Sequence, residues 1–251
     1  MAWPLTRTMA AMDQDRLYFR QLLSGRDMAA QDMVAKQMVN FSYLIGDRAM
    51  GVCVVVDPAY DVAGIVNAAA EDDMTVIGAL VTHYHPDHIG GSMMGHTIEG
   101  LDALMELIPA LAIHTQAAEA AGVLQVTNLS VTDLVTHEGG DSITVGSIPI
   151  TFLHTPGHTP GSQSFLVDGR LVAGDTLFVE GCGRTDLPGS DAAQMYHSIH
   201  SVLAKVPDDA VLFPGHLYSP QPSAPMSEVR KTNFVYRFQS EEQWMKMFAQ
   251  G

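Results

Sequence analysis

Thr75-Val76-Ile77-Gly78-Ala79-Leu80-Val81, followed directly by Thr82-His83-Tyr84-His85-Pro86-Asp87-His88, joins a short apolar run to four metal-ligand side chains in six positions. The run is rich in β-branched residues and reads as a buried strand. The polar string begins where that strand stops, the place where a rigid scaffold presents its chemistry. His83 and His85 are two apart, so on extended backbone they point to one face and chelate one ion. Pro86 cannot continue a ladder and turns the chain, which lets Asp87 and His88 approach from another direction toward a second ion. The helical His-Glu-x-x-His zinc-protease arrangement is excluded, because it needs its imidazoles four apart.

Further candidates lie at other predicted strand ends. In Leu153-His154-Thr155-Pro156-Gly157-His158-Thr159-Pro160-Gly161, two Pro-Gly turns hold a fixed bend. Spacing alone makes either His154 or His158 eligible as a ligand, with a structural role for the other. Asp175 closes the apolar run Arg170 to Gly174, where a carboxylate serves either as a cap or as a bridge between two cations. His216 follows the run Ala210 to Phe213, where an isolated histidine is ordinarily a loop residue. His197 points away from the apolar helix face through Met195, Ile199 and Val202, so it and His200 read as surface or interface residues. His96, His114 and His137 have no partner at ligand spacing.

Asn40 to Ile45 and Gly51 to Val56 read as an opening hairpin around Gly46-Asp47-Arg48. Val62 to Ala70, Leu101 to Leu107 and Ala192 to Leu203 carry helical spacing, the last behind a Ser190-Asp191 cap. Ala110 to His114, Ser142 to Val145, Pro149 to His154, Gln163 to Val167, Arg170 to Ala173 and Ala210 to Phe213 read as strands, with a hairpin turn at Asp168-Gly169. Ser92 to Gly100 fits no element. Strands in groups with helices between them indicate a mixed α and β chain without a linker-like break.

The chain has 251 residues, 47% of them hydrophobic, enough for a full core in one domain spanning residues 1–251. Residues 1–16 read as a disordered N-terminal extension. A formal charge of -15 repels polyanions, so nucleic acid is not an expected partner. Only Cys53 and Cys182 are present, and Cys53 lies in Val52-Cys53-Val54-Val55-Val56, where a small buried thiol is the ordinary reading. The N-terminus lacks a charged region followed by a long apolar stretch, and no window resembles a membrane span. A cytoplasmic protein with no membrane partner is expected. The tail Thr232-Asn233-Phe234-Val235-Tyr236-Arg237-Phe238, with Trp244, is apolar enough to cover either the site or a second copy in a homodimer.

In order, Thr82-His83-x-His85-x-Asp87-His88, Thr155-Pro156-Gly157-His158-Thr159, Gly174-Asp175 and Gly215-His216 resemble the motifs of the metallo-β-lactamase superfamily. The resemblance implies an α+β fold, an αββα sandwich of two mixed sheets flanked by helices, with the site at one edge between the sheets. It also implies one metal on His83, His85 and His158, a second on Asp87, His88 and His216, and Asp175 bridging. Within that superfamily, Gly181-Cys182-Gly183-Arg184-Thr185-Asp186 and Tyr196-His197-Ser198-Ile199-His200 are most similar to the glyoxalase II and persulfide dioxygenase branch. Two features depart from it: 35 residues follow His216, too few for the helical glutathione-binding domain of glyoxalase II, and Ser92 to His114 matches neither relative well.

The resemblance implies a dinuclear, zinc-dependent hydrolase of a small acyl-thiol or ester, in which metal-bound hydroxide is the nucleophile and Asp87 holds it. The alternative is a persulfide dioxygenase with one Fe(II) on His83, His158 and Asp175. His and Asp suit both metals. Thr82, Thr159 or a backbone carbonyl is expected to fix the imidazoles. Arg184 either binds a substrate carboxylate or fixes its own loop, and Tyr218 either lines the pocket or is simply packed.

Overall fold

The computed structural model describes residues 16–109 and 111–248. The N-terminal extension therefore lies outside the described residues except for Arg16, which is paired with Asp47 at 2.8 Å. The fold follows from alternation along strands that are buried on both faces. In the hairpin of Phe41–Asp47 and Val52–Val56, Phe41, Tyr43, Ile45, Val54 and Val56 enter one apolar cluster. Leu44, Cys53 and Val55, on the opposite faces of the same strands, enter another. A sheet apolar on both sides needs a layer on each, which here is a second sheet on one side and helices on the other.

In chain order the first sheet contains β1 (Leu17–Leu23), β2 (Phe41–Asp47), β3 (Val52–Val56) and β4 (Thr75–Leu80). A separate hairpin, β5 (Gly91–Met93) and β6 (His96–Ile98), precedes its last strands, β7 (Ala112–Gln116) and β8 (Leu134–His137). The second sheet comprises β9 (Ser142–Val145), β10 (Ile148–His154), β11 (Gln163–Val167), β12 (Arg170–Gly174), β13 (Val211–Pro214) and β14 (Ala224–Pro225). The orders are β1-β2-β3-β4-β7-β8 and β14-β13-β12-β11-β10-β9. Ile148, Ile150, Phe152, Phe165, Val167 and Val172 of the second sheet meet the inner face of the first. The helices Val62–Glu71, Leu101–Leu107 and Ala120–Val126 cover one outer face. Ala192–His197, Met226–Thr232 and Glu241–Phe248 cover the other, around the buried Trp244. This is the expected αββα sandwich.

Several local outcomes differ from expectation. β1 precedes the opening hairpin and pairs antiparallel with β2. Its Arg20 and Gln21 disguise the apolar alternation, as charged and polar residues on an edge strand do; Arg20 binds Asp72 and the Ala68 carbonyl. The unplaced Ser92 to Gly100 holds most of the β5–β6 hairpin. The predicted helix from Ala192 is α-helical only to His197, then a π turn over Ser198–Val202 and a 3-10 turn over Leu203–Lys205. Its cap is as read, since Asp191 accepts from the Gln194 amide at 3.0 Å.

β3, β4, β12 and β13 run so that their carboxyl ends lie at one edge, and two contacts join the sheets there. Asn40 and His216 form an isolated antiparallel bridge, with Phe41 N–H donating to the Gly215 carbonyl at 2.8 Å and Leu217 N–H to Val39 at 3.0 Å. Gln163 binds the carbonyls of Thr82 and Val81 through its amide and side chain, at 2.9 and 2.7 Å. Among the described residues no helix is long and apolar enough to cross a membrane.

Phe152 is fully buried between the sheets, edge-on to Phe165 and stacked on His137 at 4.3 Å. Phe152→Ala is expected to lower the unfolding free energy by about 3–5 kcal/mol, read as a lower urea midpoint at unchanged slope.

Candidate metal centre

β4 ends at Leu80, so His83 and His85 stand on the loop beyond it rather than on the ladder. The strand-end reading of their shared face is corrected accordingly: the loop, not the pleat, brings the rings to a centroid separation of 4.7 Å. Pro86 does turn the chain, by opening a one-turn helix, Pro86–Ile89, that carries Asp87 and His88. Asp175 follows β12, His216 follows β13, and His158 comes from the loop between β10 and β11.

These residues form two triads. His83, His85 and His158 converge in one, with His158 Nε2 3.0 Å from His85 Nδ1. Asp87, His88 and His216 converge in the other, with the Nε2 atoms of His88 and His216 3.1 Å apart. Asp175 stands between them: Oδ2 lies 3.6 Å from His158 Nε2 and 3.3 Å from His216 Nε2, and Oδ1 lies 3.5 Å from His88 Nε2. His154, the other eligible residue of its motif, turns away and meets the Pro160 carbonyl at 3.1 Å.

Most of the imidazoles have their other nitrogen occupied. His88 Nδ1 donates to Asp57 Oδ2 at 2.9 Å, His216 Nδ1 to the Met38 carbonyl at 2.7 Å, and His158 Nδ1 to the Arg184 carbonyl at 2.8 Å. His83 Nδ1 donates to Thr82 Oγ1 at 3.0 Å, and that hydroxyl donates to Asp57 Oδ2 at 2.5 Å. Thr82 and backbone carbonyls thus have the expected role, whereas Thr159 does not and binds Glu119 instead. Asp57 serves a histidine of each triad, which sequence reading missed because Asp57-Pro58 looks like an ordinary strand terminator. Asn40 was missed for the same kind of reason. Its amide donates to Asp87 Oδ2 at 3.0 Å and is itself held by the Tyr60 hydroxyl.

With the outer ring nitrogens so engaged, the remaining ones point into the centre. His83 Nε2 and Asp175 Oδ1 are buried without any hydrogen-bond partner, which in a native site calls for an ion or water. The donor set, imidazole nitrogen and carboxylate oxygen, suits zinc or iron. Close packing also explains the glycines before two ligands. A Cβ at Gly174, where φ is +50°, would lie 2.7 Å from the Thr82 side chain, and one at Gly215 would strike Asp175 Oδ1.

Burial depresses the pKa of His83 well below the usual imidazole range, helped by His88, His85 and His158, so it is neutral and free to coordinate. Burial pushes His88 the same way, but Asp87, Asp175 and Asp57 outweigh it and hold His88 up at about 10. Burial raises Asp87, but His88 and His216 more than offset this, so it stays ionised.

The metallo-beta-lactamase superfamily model matches residues 36–216, the span that contains all seven converging residues. The chain belongs to the metallo-beta-lactamase superfamily. Human mitochondrial persulfide dioxygenase ETHE1 is 31% identical over 223 residues, 85% of this chain and 80% of that protein. The cytoplasmic hydroxyacylglutathione hydrolase of Arabidopsis thaliana is 35% identical over 187 residues, 72% of this chain and 64% of that protein. The crystal structure of ETHE1 from Myxococcus xanthus superposes with a TM-score of 0.73 at 29% identity, covering 93% of this chain and 90% of that one. This superfamily of metal-dependent enzymes accounts for the His/Asp clusters.

Of the two residues expected at the substrate, Arg184 has its guanidinium paired with Asp186 through two contacts of 2.8 Å, and its carbonyl supports His158. Tyr218 stacks on His216 at 4.5 Å, half exposed beside the second triad.

Because the metal-free His88 holds a second proton at neutral pH, an ion at the second triad must displace it. Metal binding at the second triad is expected to release about one proton at pH 7, with affinity there rising up to tenfold per pH unit while His88 stays protonated. Calorimetry in buffers of different ionisation enthalpy checks both.

Proposed function

We propose that this protein is a dinuclear, zinc-dependent hydrolase of a small acyl thioester or ester. The observation that carries the reading is that the second triad has its own supports: Asn40 on Asp87, Asp57 on His88 and the Met38 carbonyl on His216. A dioxygenase site of His83, His158 and Asp175 needs none of these. His83, His85 and His158 would hold one ion, Asp87, His88 and His216 the other, with Asp175 touching both. When bound, such ions supply Lewis acidity and lower the pKa of water to about 7.

The chain's own residues do the rest. Asp87, ionised and fixed by Asn40, would accept a hydrogen bond from the nucleophile and orient it. The Tyr218 ring, flat against His216 and edge-on to Phe178, forms an apolar wall for the acyl group. Arg184 offers its guanidinium to a substrate carboxylate that displaces Asp186. The Arabidopsis relative's name, a hydrolase of an acylated glutathione, supports the thioester class. The human relative's name, a persulfide dioxygenase, supports the second reading, in which His83, His158 and Asp175 would hold one Fe(II).

Protein purified without added metal is expected to contain two ions per chain by elemental analysis and to hydrolyse acyl-glutathione thioesters. Asp87→Asn is expected to reduce kcat about 10²–10⁴-fold. A two-metal protein inactive on a panel of thioesters, esters and lactones would falsify the hydrolase, and oxygen uptake with glutathione persulfide would install the dioxygenase in its place.

A further inference from the structure

Glu119 precedes the helix Ala120–Val126 and is 1% exposed, yet its side chain makes no hydrogen bond to the start of that helix. It reaches instead between two loops. Oε1 accepts from the Tyr84 amide and from Thr159 Oγ1, both at 2.7 Å, and Oε2 accepts from the Gly161 amide at 2.7 Å. Tyr84 lies between His83 and His85, while Thr159 and Gly161 follow His158. One buried carboxylate therefore ties together the two segments that supply the first triad.

We propose that Glu119 is a positioning residue for the first metal site, a strut that sets the spacing of His85 and His158 and so tunes metal affinity there without touching metal or substrate. The proposal rests on the metal-centre reading above. Two of its three partners are backbone amides, which can only donate, so a group accepting on both oxygens is required. Glutamine cannot replace it, since either orientation of its amide sets an N–H₂ against a backbone N–H. The surroundings are shaped to the strut. A Cβ at Gly161 would lie 2.6 Å from Glu119 Cβ, and one at Gly122 would lie 2.5 Å from the Tyr84 ring, so both glycines let the helix approach the loops. Asn40, Asp57 and the Met38 carbonyl, which support the second triad, make no hydrogen bond to Glu119, so its direct bonds fall beside His83, His85 and His158.

The test is a zinc titration, by calorimetry, of metal-free full-length wild type, Glu119→Gln and Thr159→Val. His158→Ala and His216→Ala identify which isotherm belongs to which triad. Glu119→Gln is expected to weaken the first site about 10–100-fold, as removal of a ligand-orienting partner does, and to leave the second within about threefold. Thr159→Val, which keeps both backbone bonds to the carboxylate, is expected to weaken the first site less but with the same selectivity. It carries the test alone if Glu119→Gln does not fold. Equal loss at both sites, or unchanged affinities with a lower unfolding midpoint, overturns the proposal and leaves Glu119 a purely structural residue. A wild type that binds fewer than two ions fails the dinuclear reading instead, and does so before any variant is compared.

Discussion

Five imidazole nitrogens and two carboxylates converge at one edge of the sandwich with few protons to place between them. His88 and His216 meet Nε2 to Nε2 at 3.1 Å, and His83 Nε2 has no partner at all. Lone pairs packed this closely repel unless a cation or a proton lies among them. The surrounding structure supplies what that arrangement demands: acceptors for the outward nitrogens, glycines where backbones must pass close, and anionic groups to balance bound charge. Asp57 is the most economical of these, one buried carboxylate reaching a histidine in each triad.

The sandwich is what makes such convergence rigid. The converging side chains arrive from both sheets, beyond the ends of β4, β12 and β13 and from the loop after β10. The Asn40–His216 bridge and the Gln163 bonds to Thr82 and Val81 hold those sheets together at the site itself. Movement of one sheet against the other would therefore have to break backbone pairing beside the ligands. The same bridge brings Asn40 to Asp87, so a residue that opens a strand in one sheet orients a carboxylate beside a histidine from the other.

Two relatives of this chain, a hydroxyacylglutathione hydrolase and a persulfide dioxygenase, bear names for different chemistry. Fold alone does not separate such activities. The separately supported second triad is the feature on which the proposal of two ions and hydrolysis rests.

Much of this was legible in the sequence. The four ligand types within Thr82 to His88 stand out because their spacing is local, and the strands β2, β3, β4, β11 and β12 stand out because alternation or continuous apolarity records burial on two faces. Cys53 was readable as a buried thiol for the same reason. Tertiary structure decided what depends on distant partners. It chose His158 over His154, set the guanidinium of Arg184 on Asp186, and gave Asp57, Asn40 and Glu119 their roles through residues 25 to 47 positions away. An aspartate before a proline and a glutamate in an alanine-rich stretch look like a turn and a solvated helix end. Sequence periodicity reports which side of an element is apolar; which donor meets which acceptor is set only when two sheets and their loops close on one another.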